Sequence, residues 1–375
     1  MRMAEKPPPS SGKPEQKADD SEVKEGLKFD KYTFRHFPQL DGFRGLAVLF
    51  VIIGHLLTYG ELGPTPTTVG LAFASTGVFL FFVLSGFLIT GLLQREKSDK
   101  GCINLRRFYI RRSLRLGPAL LTFIIVIFGL KRLGLVQDVT NYEIAACLLY
   151  ARNFFGKSVT LAHVWSLSLE EQFYLCWPGL FRIIPEKRAF AITTIVTGSI
   201  AIWRGIAIHL EWFDYGRGIF YMRPYFRFDS ILIGACLAVG FATNARFLDG
   251  TRKMTKTIPA IALWSSLALW SYYGEAVSRS LFLTIQMILI AAILGQLALD
   301  GSPLSQAFFS NKLLCYLGKI SYALYLWQQI FLVTKLPPWG FLRRFPVNLA
   351  ASMLMAIASY HIIETSALRL KQHFE

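Results

Sequence analysis

Ten apolar stretches of near-membrane length recur along this 375-residue chain, at about 39–59, 69–94, 114–134, 165–184, 189–209, 228–243, 257–273, 280–299, 314–334 and 346–366. A helix needs about 20 such residues to cross a bilayer core of roughly 30 Å. Helices and closed barrels alone satisfy their backbone polar groups in lipid. The pattern predicts an all-α polytopic membrane protein with about ten transmembrane helices. At 53% hydrophobic and 17% charged residues, the chain is too apolar for a soluble domain of its length. The run 143–151 is too short to span and reads as interfacial or re-entrant.

A net charge of +16 raises the question of nucleic acid, and its distribution answers it. With both termini in the cytoplasm, 28 of the 40 Lys and Arg fall in segments 1–44, 95–115, 182–188, 244–256, 312–319 and 369–371. The other side holds 12. This asymmetry fits the positive-inside rule and sets the orientation, so the charge belongs on the cytoplasmic face of a plasma (inner) membrane. No nucleic-acid partner is needed.

Residues 1–36 are rich in Pro, Ser, Lys, Glu and Asp, a composition that cannot bury a core. They are expected to form a disordered basic tail, followed by a membrane domain over 37–370 and a short cytoplasmic tail, 371–375. No secretory signal precedes the first apolar run. No internal repeat supports an inverted-repeat transporter. The five cysteines (102, 147, 176, 236, 315) show no CxxC or Cys/His spacing, so they read as free thiols, with no metal site.

Within the first stretch, Arg44 and His55 stand eleven positions apart with only apolar residues and glycine between them. Eleven helical steps come to about 1100°, within roughly 20° of three turns, so both share one face about 16 Å apart along the axis. An ionisable ring that deep in an apolar helix is costly and marks function unless it is a hydrogen-bonded packing residue.

A second cluster is Arg106-Arg107-Phe108-Tyr109-Ile110-Arg111-Arg112-Ser113-Leu114-Arg115, at the cytoplasmic start of the third stretch. Arg106 and Arg107 read as head-group anchors. Arg112 and Arg115, at i,i+3 on the edge of the apolar run, suit a phosphate-bearing cytoplasmic ligand, because guanidinium forks grip phosphate bidentately. The third is His163-Val164-Trp165-Ser166-Leu167-Ser168-Leu169-Glu170-Glu171 and onward to Tyr174. Ser166, Glu170 and Tyr174 share a face at i,i+4 spacing, and Glu171 points about 100° away. Glu170 and His55 fall at similar depth, so Glu170 is expected to orient the His55 ring. Three lesser readings accompany these. Ser85 sits beside Gly86 and reads as a packing residue ahead of a nucleophile, Arg227 and Asp229 as an ion pair, and His361 and Glu364 as cytoplasmic-interface groups.

Together the segments "LDGFRGLAVLFVIIGH", "GVFLFFVLSGFLIT", "FYIRRSLRLGP", "HVWSLSLEEQFYLCWP", "FRFDSILIGACLA" and "LGKISYALYLWQ" resemble, in order, the acyltransferase-3 family of integral membrane O-acyltransferases. The resemblance covers about residues 37–370. It implies ten core helices, a cytoplasmic acyl-CoA donor and a hydroxyl acceptor: a glycan, a lipid-linked sugar or a small-molecule metabolite. It assigns Arg44 and His55 to the family's Arg-x10-His element, Arg112 and Arg115 to Arg-x-x-Arg, and Glu170 to Trp-Ser-Leu-x-x-Glu. The chain departs from the family at Gln328, where many members carry histidine, and at Thr365-Ser366, where Lys-Pro often follows the glutamate. With no hydrolase-like extension after residue 375, any acceptor-handling domain is expected on another protein.

The sequence therefore predicts an O-acyltransferase that moves an acyl group, most simply acetyl, from acyl-CoA to a hydroxyl, with no permanently bound cofactor. Arg44, Arg112 and Arg115 hold the donor phosphates, and His55 is the general base. An extended pantetheine arm matches the three turns from Arg44 to His55. A covalent acyl-His or acyl-Ser85 intermediate is an alternative route. From another class, a transporter or flippase using buried His and Glu as a proton relay competes with this reading.

Overall fold

The computed structural model describes residues 38–59, 66–212, 222–258, 260–273, 279–300, 302–334 and 340–371. The tail expected over 1–36 and residues 372–375 lie outside them. The helices, in chain order, are α1 (Pro38–Thr58), α2 (Thr67–Lys100), α3 (Leu105–Arg132), α4 (Asn141–Leu148), α5 (Val164–Ile183), α6 (Glu186–His209), α7 (Pro224–Thr243), α8 (Ala245–Thr257), α9 (Ala260–Tyr273), α10 (Arg279–Asp300), α11 (Pro303–Phe309), α12 (Lys312–Lys319), α13 (Ser321–Leu332), α14 (Val347–Ser359) and α15 (Thr365–Lys371). No strand occurs among the described residues. The chain is an all-α polytopic membrane protein, and among the described residues each of the ten apolar stretches is mostly helical.

Seven of the described helical segments are long and apolar enough to cross a membrane by length and composition. The other three stretches differ for visible reasons. Helix α5 carries Glu170, Glu171 and Arg182, and α9 has 14 residues. The stretch 314–334 breaks at Ile320 into α12 and α13. The last stretch is interrupted by a π turn, Tyr360–Glu364, between α14 and α15. Helix α3 starts at Leu105, earlier than the apolar run, so the arginine cluster is itself helical. Asn104 caps it by accepting from the Arg107 backbone N–H at 3.0 Å.

Helix α2 is the spine, packed along α1 on one side and α7 on the other, while α12 packs against α1. Lipid offers no hydrophobic drive between helices, so close backbone approach does this work. Gly86 on α2 lies against the Ile231 carbonyl of α7, and Gly234 on α7 against the Val83 carbonyl of α2. A Cβ at either position would strike that carbonyl. Gly318 meets the Asp41 carbonyl in the same way, joining α12 to α1. Leu121, Ile125 and Phe128 are exposed along α3, a lipid-facing stripe.

The connection from α3 to α5 is a polar knot around α4. Thr140 and Glu143 form a capping box. Glu143 also accepts from the backbone N–H groups of Lys157 and Ser158 at 2.6 and 2.7 Å. The Arg152 guanidinium donates to the carbonyls of Phe155, Gly156 and Ser158. These bonds pair buried backbone groups of the loop with side chains.

Candidate functional site

A cavity of about 510 Å³ opens between α1, α2, α3, α5, α12, α13 and the π turn. Its wall carries Arg44, Arg112 and Arg115 toward the end where α3 begins, with Lys319, Tyr360 and Glu364. Farther in are Ser85, Glu170 and Tyr174, and then Ser166 and Tyr325. Three cations from two helices, α1 and α3, meet on this wall. The π turn adds Glu364, a buried carboxylate, to the same wall. Such turns recur at functional sites.

Each cation is organised differently. Arg112 donates through Nε to Glu171 Oε1 at 3.1 Å and lies on Tyr174, its guanidinium carbon 3.7 Å from the ring centre. Glu171 and Tyr174 thus point a flat, pre-aimed fork into the cavity. Arg44 Nη1 donates to Asp41 Oδ1 at 3.2 Å, one turn back on the same helix. Arg115 is exposed on the cavity wall.

The expected face of Ser166, Glu170 and Tyr174 lines the cavity together. The partner expected for Glu170 is corrected. Ser85 Oγ donates to Glu170 Oε1 at 2.8 Å, whereas His55 Nδ1 lies 2.8 Å from Gln328 Oε1. Equal depth on two helices does not put two side chains in contact. Helix α2 stands between α1 and α5 at the height of Ser85, and α13 brings Gln328 to His55. His55 is half-buried and is not part of the cavity wall. The inner end is closed by Tyr325, whose hydroxyl donates to the His163 carbonyl at 2.9 Å and is bonded to Ser166 Oγ at 2.6 Å. Tyr325 precedes Gln328 by one turn of α13, so one layer of side chains separates the cavity from His55.

Tyr325 and Glu364 line the cavity without having been singled out for it, and Gln328 joins through His55. The Ser85-Gly86 pair was visible as a packing motif. Asp229 finds a partner that the sequence reading did not contain: Arg204 of α6, at 2.6 Å, with both side chains 1% exposed. Arg227 lies over the Phe79 ring, 4.4 Å from its centre. Among the described residues no group of three or more His, Cys, Asp or Glu could hold a metal ion.

A family model described as an acyltransferase domain, acyltransferase-3, matches residues 37–361. The chain is 30% identical to the peptidoglycan O-acetyltransferase OatA of Listeria monocytogenes, over 89% of its own length and 56% of the relative's. It is 30% identical to the O-acetyltransferase OatA of Staphylococcus aureus strain NCTC 8325, over 89% and 57%. The chain thus spans little more than half the length of these relatives. No solved structure matches it. A match over residues 37–361, from the first helix into the π turn, makes this chain a member of the acyltransferase-3 family.

Proposed function

We propose that the protein is a membrane O-acetyltransferase that takes acetyl from acetyl-CoA on the cytoplasmic side and transfers it to a glycan or lipid-linked sugar hydroxyl. The observation that carries this reading is the convergence of Arg44, Arg112 and Arg115 on one cavity, whose inner wall holds Ser85 and Glu170. A proton-coupled carrier has no need of three guanidinium groups at the mouth of such a cavity. The glycan acceptor is suggested by the name of the Listeria relative. The positive-inside charge pattern supports the orientation, with the three arginines toward the cytoplasm.

In this reading Arg112 and Arg115 bind the donor phosphates, with Arg44 as a further cationic contact. The pantetheine arm lies along the cavity past Ser85 and Glu170, and its thioester reaches past Tyr325 to the His55 side. His55 takes the proton of the acceptor hydroxyl as the oxygen attacks the thioester carbonyl. The carbon–sulfur bond breaks, and the proton passes to the departing thiolate, so ester and free CoA thiol are the products. Glu170, held by Ser85, is the fixed carboxylate of the inner cavity, against which the amide N–H groups of the arm can align.

The test uses purified protein in liposomes. CoA is expected to raise its melting temperature, and Arg112→Ala and Arg115→Ala to abolish the rise. His55→Ala is expected to keep the rise and lose thiol release from acetyl-CoA in the presence of an N-acetylglucosamine oligomer. Indifference to CoA, or full turnover in His55→Ala, would overturn the assignment.

A further inference from the structure

The Gln328 side chain is completely buried on α13, the helix that also supplies Tyr325 to the inner end of the cavity. Its Oε1 faces His55 Nδ1 at 2.8 Å, and its Nε2 donates to the Tyr325 carbonyl at 3.5 Å. The short contact to His55 and the longer one to the Tyr325 carbonyl favour this orientation of the amide. Turned over, it would set Oε1 against the Tyr325 carbonyl oxygen, two acceptors face to face. An amide oxygen only accepts, so the hydrogen between the two side chains resides on the imidazole.

From this we infer that Gln328 is a positioning residue, which holds His55 as its Nδ1–H tautomer and leaves Nε2 as the basic nitrogen. An imidazole free to exchange tautomers would present a lone pair at Nε2 for only part of the time, and its ring would rotate about χ2. A neutral amide fixes tautomer and ring plane without adding charge to the membrane interior, where a carboxylate partner would be costly. The inference does not need Gln328 to touch substrate. Its consequence for turnover rests on His55 being the base proposed above, whereas the tautomer itself does not.

Two measurements separate those claims. The chain has six histidines, so 15N-histidine spectra of the protein in nanodiscs can be assigned to His55 by comparison with His55→Asn. His55 should show a protonated Nδ1 and an unprotonated Nε2 at neutral pH. Gln328→Met, close in volume but with no acceptor, should lose that signature and give a tautomer mixture. An Nε2–H tautomer in the native protein, or an unchanged spectrum in Gln328→Met, would overturn the inference whatever the activity.

The kinetic arm measures thiol release from acetyl-CoA. Gln328→Met should lower kcat about 10–100-fold, the scale seen for outer-shell histidine partners, with the acetyl-CoA KM and the CoA-induced melting shift unchanged. Gln328→Glu, which keeps an acceptor oxygen in place, should recover part of the loss. In a His55→Asn background Gln328→Met should have no further effect on residual turnover. An additive loss in that background would mean that Gln328 acts through packing, and it would overturn the positioning role. Native turnover in His55→Asn would instead overturn the general-base reading while the tautomer result stands.

Discussion

The guanidinium of Arg112 lies flat on the Tyr174 ring at 3.7 Å while Glu171 holds its Nε at 3.1 Å, so one cation is clamped by two residues of α5 before any ligand arrives. Preorganisation of this kind lowers the entropic cost of gripping a phosphate. Lysine has neither the flat face nor the fork. Arg112→Lys should therefore raise the acetyl-CoA KM by about 10-fold, worth about 1.4 kcal/mol, with kcat nearly intact. An unchanged KM in steady-state kinetics would remove Arg112 from the donor site.

Ser85 and Glu170 make the second prediction. Ser85→Ala deletes the donor and leaves a carboxylate oxygen of the inner wall without its hydrogen bond. The cost of stranding such a group is about 1–3 kcal/mol, so kcat/KM should fall about 10- to 100-fold, and Ser85→Thr should retain most of the activity. A covalent route through Ser85 predicts something different. Acid-quenched intact mass spectra with acetyl-CoA and no acceptor would then show one acetyl adduct, absent in Ser85→Ala. The direct transfer proposed here predicts no adduct.

The Arg204–Asp229 pair tests stability apart from chemistry. Arg204 reaches Asp229 at 2.6 Å, the Phe226 carbonyl at 2.8 Å and Thr284 Oγ1 at 2.7 Å, which ties α6, α7 and α10 together. Removing one member of a buried pair costs about 3–5 kcal/mol, because the other charge is left uncompensated. Arg204→Met should lower the melting temperature in detergent sharply, and Arg204→Met combined with Asp229→Leu should restore much of it. If the double variant melts no higher than the single, the pair is not a self-contained electrostatic unit.

The loop around α4 carries a pH dependence. Burial pushes the Asp138 and Glu143 carboxyls up, but hydrogen bonds from Thr160 and Ser158 to Asp138, and from Ser158, Thr140 and Lys157 to Glu143, outweigh it. Both carboxyls therefore lie below their ordinary values in the folded loop. A group whose folded value is lowered stabilises fully above its unfolded value, about 4, and loses that contribution as pH falls through the folded one. Hydrogen exchange over 138–164, taken relative to the intrinsic rate at each pH, should be slow at pH 7 and accelerate below about pH 4. In Glu143→Gln it should already be faster at pH 7. Equal exchange of the two proteins at pH 7 would refute the carboxylate's role.

How much of this was legible in the chain depends on the range of the interaction involved. Apolar runs of about 20 residues determined the helices and their class, because lipid leaves a backbone few alternatives. Helical spacing alone determined that Arg44 and His55 share a face, and that Ser166, Glu170 and Tyr174 do. The cationic face of Arg112 and Arg115 on α3 was recognisable from their i,i+3 spacing.

What tertiary structure decided was which face meets which. His55 and Gln328 are 273 positions apart, and Ser85 and Glu170 are 85 apart. Their pairing is set by backbone contacts at Gly86, Gly234 and Gly318, which fix how α1, α2, α7 and α12 are rotated and how deep each sits. Depth along a helix can be counted from sequence, but rotation about its axis against a distant neighbour cannot. For that reason His55 passed from an expected carboxylate to an amide, and Glu170 from a histidine to a serine on the cavity wall.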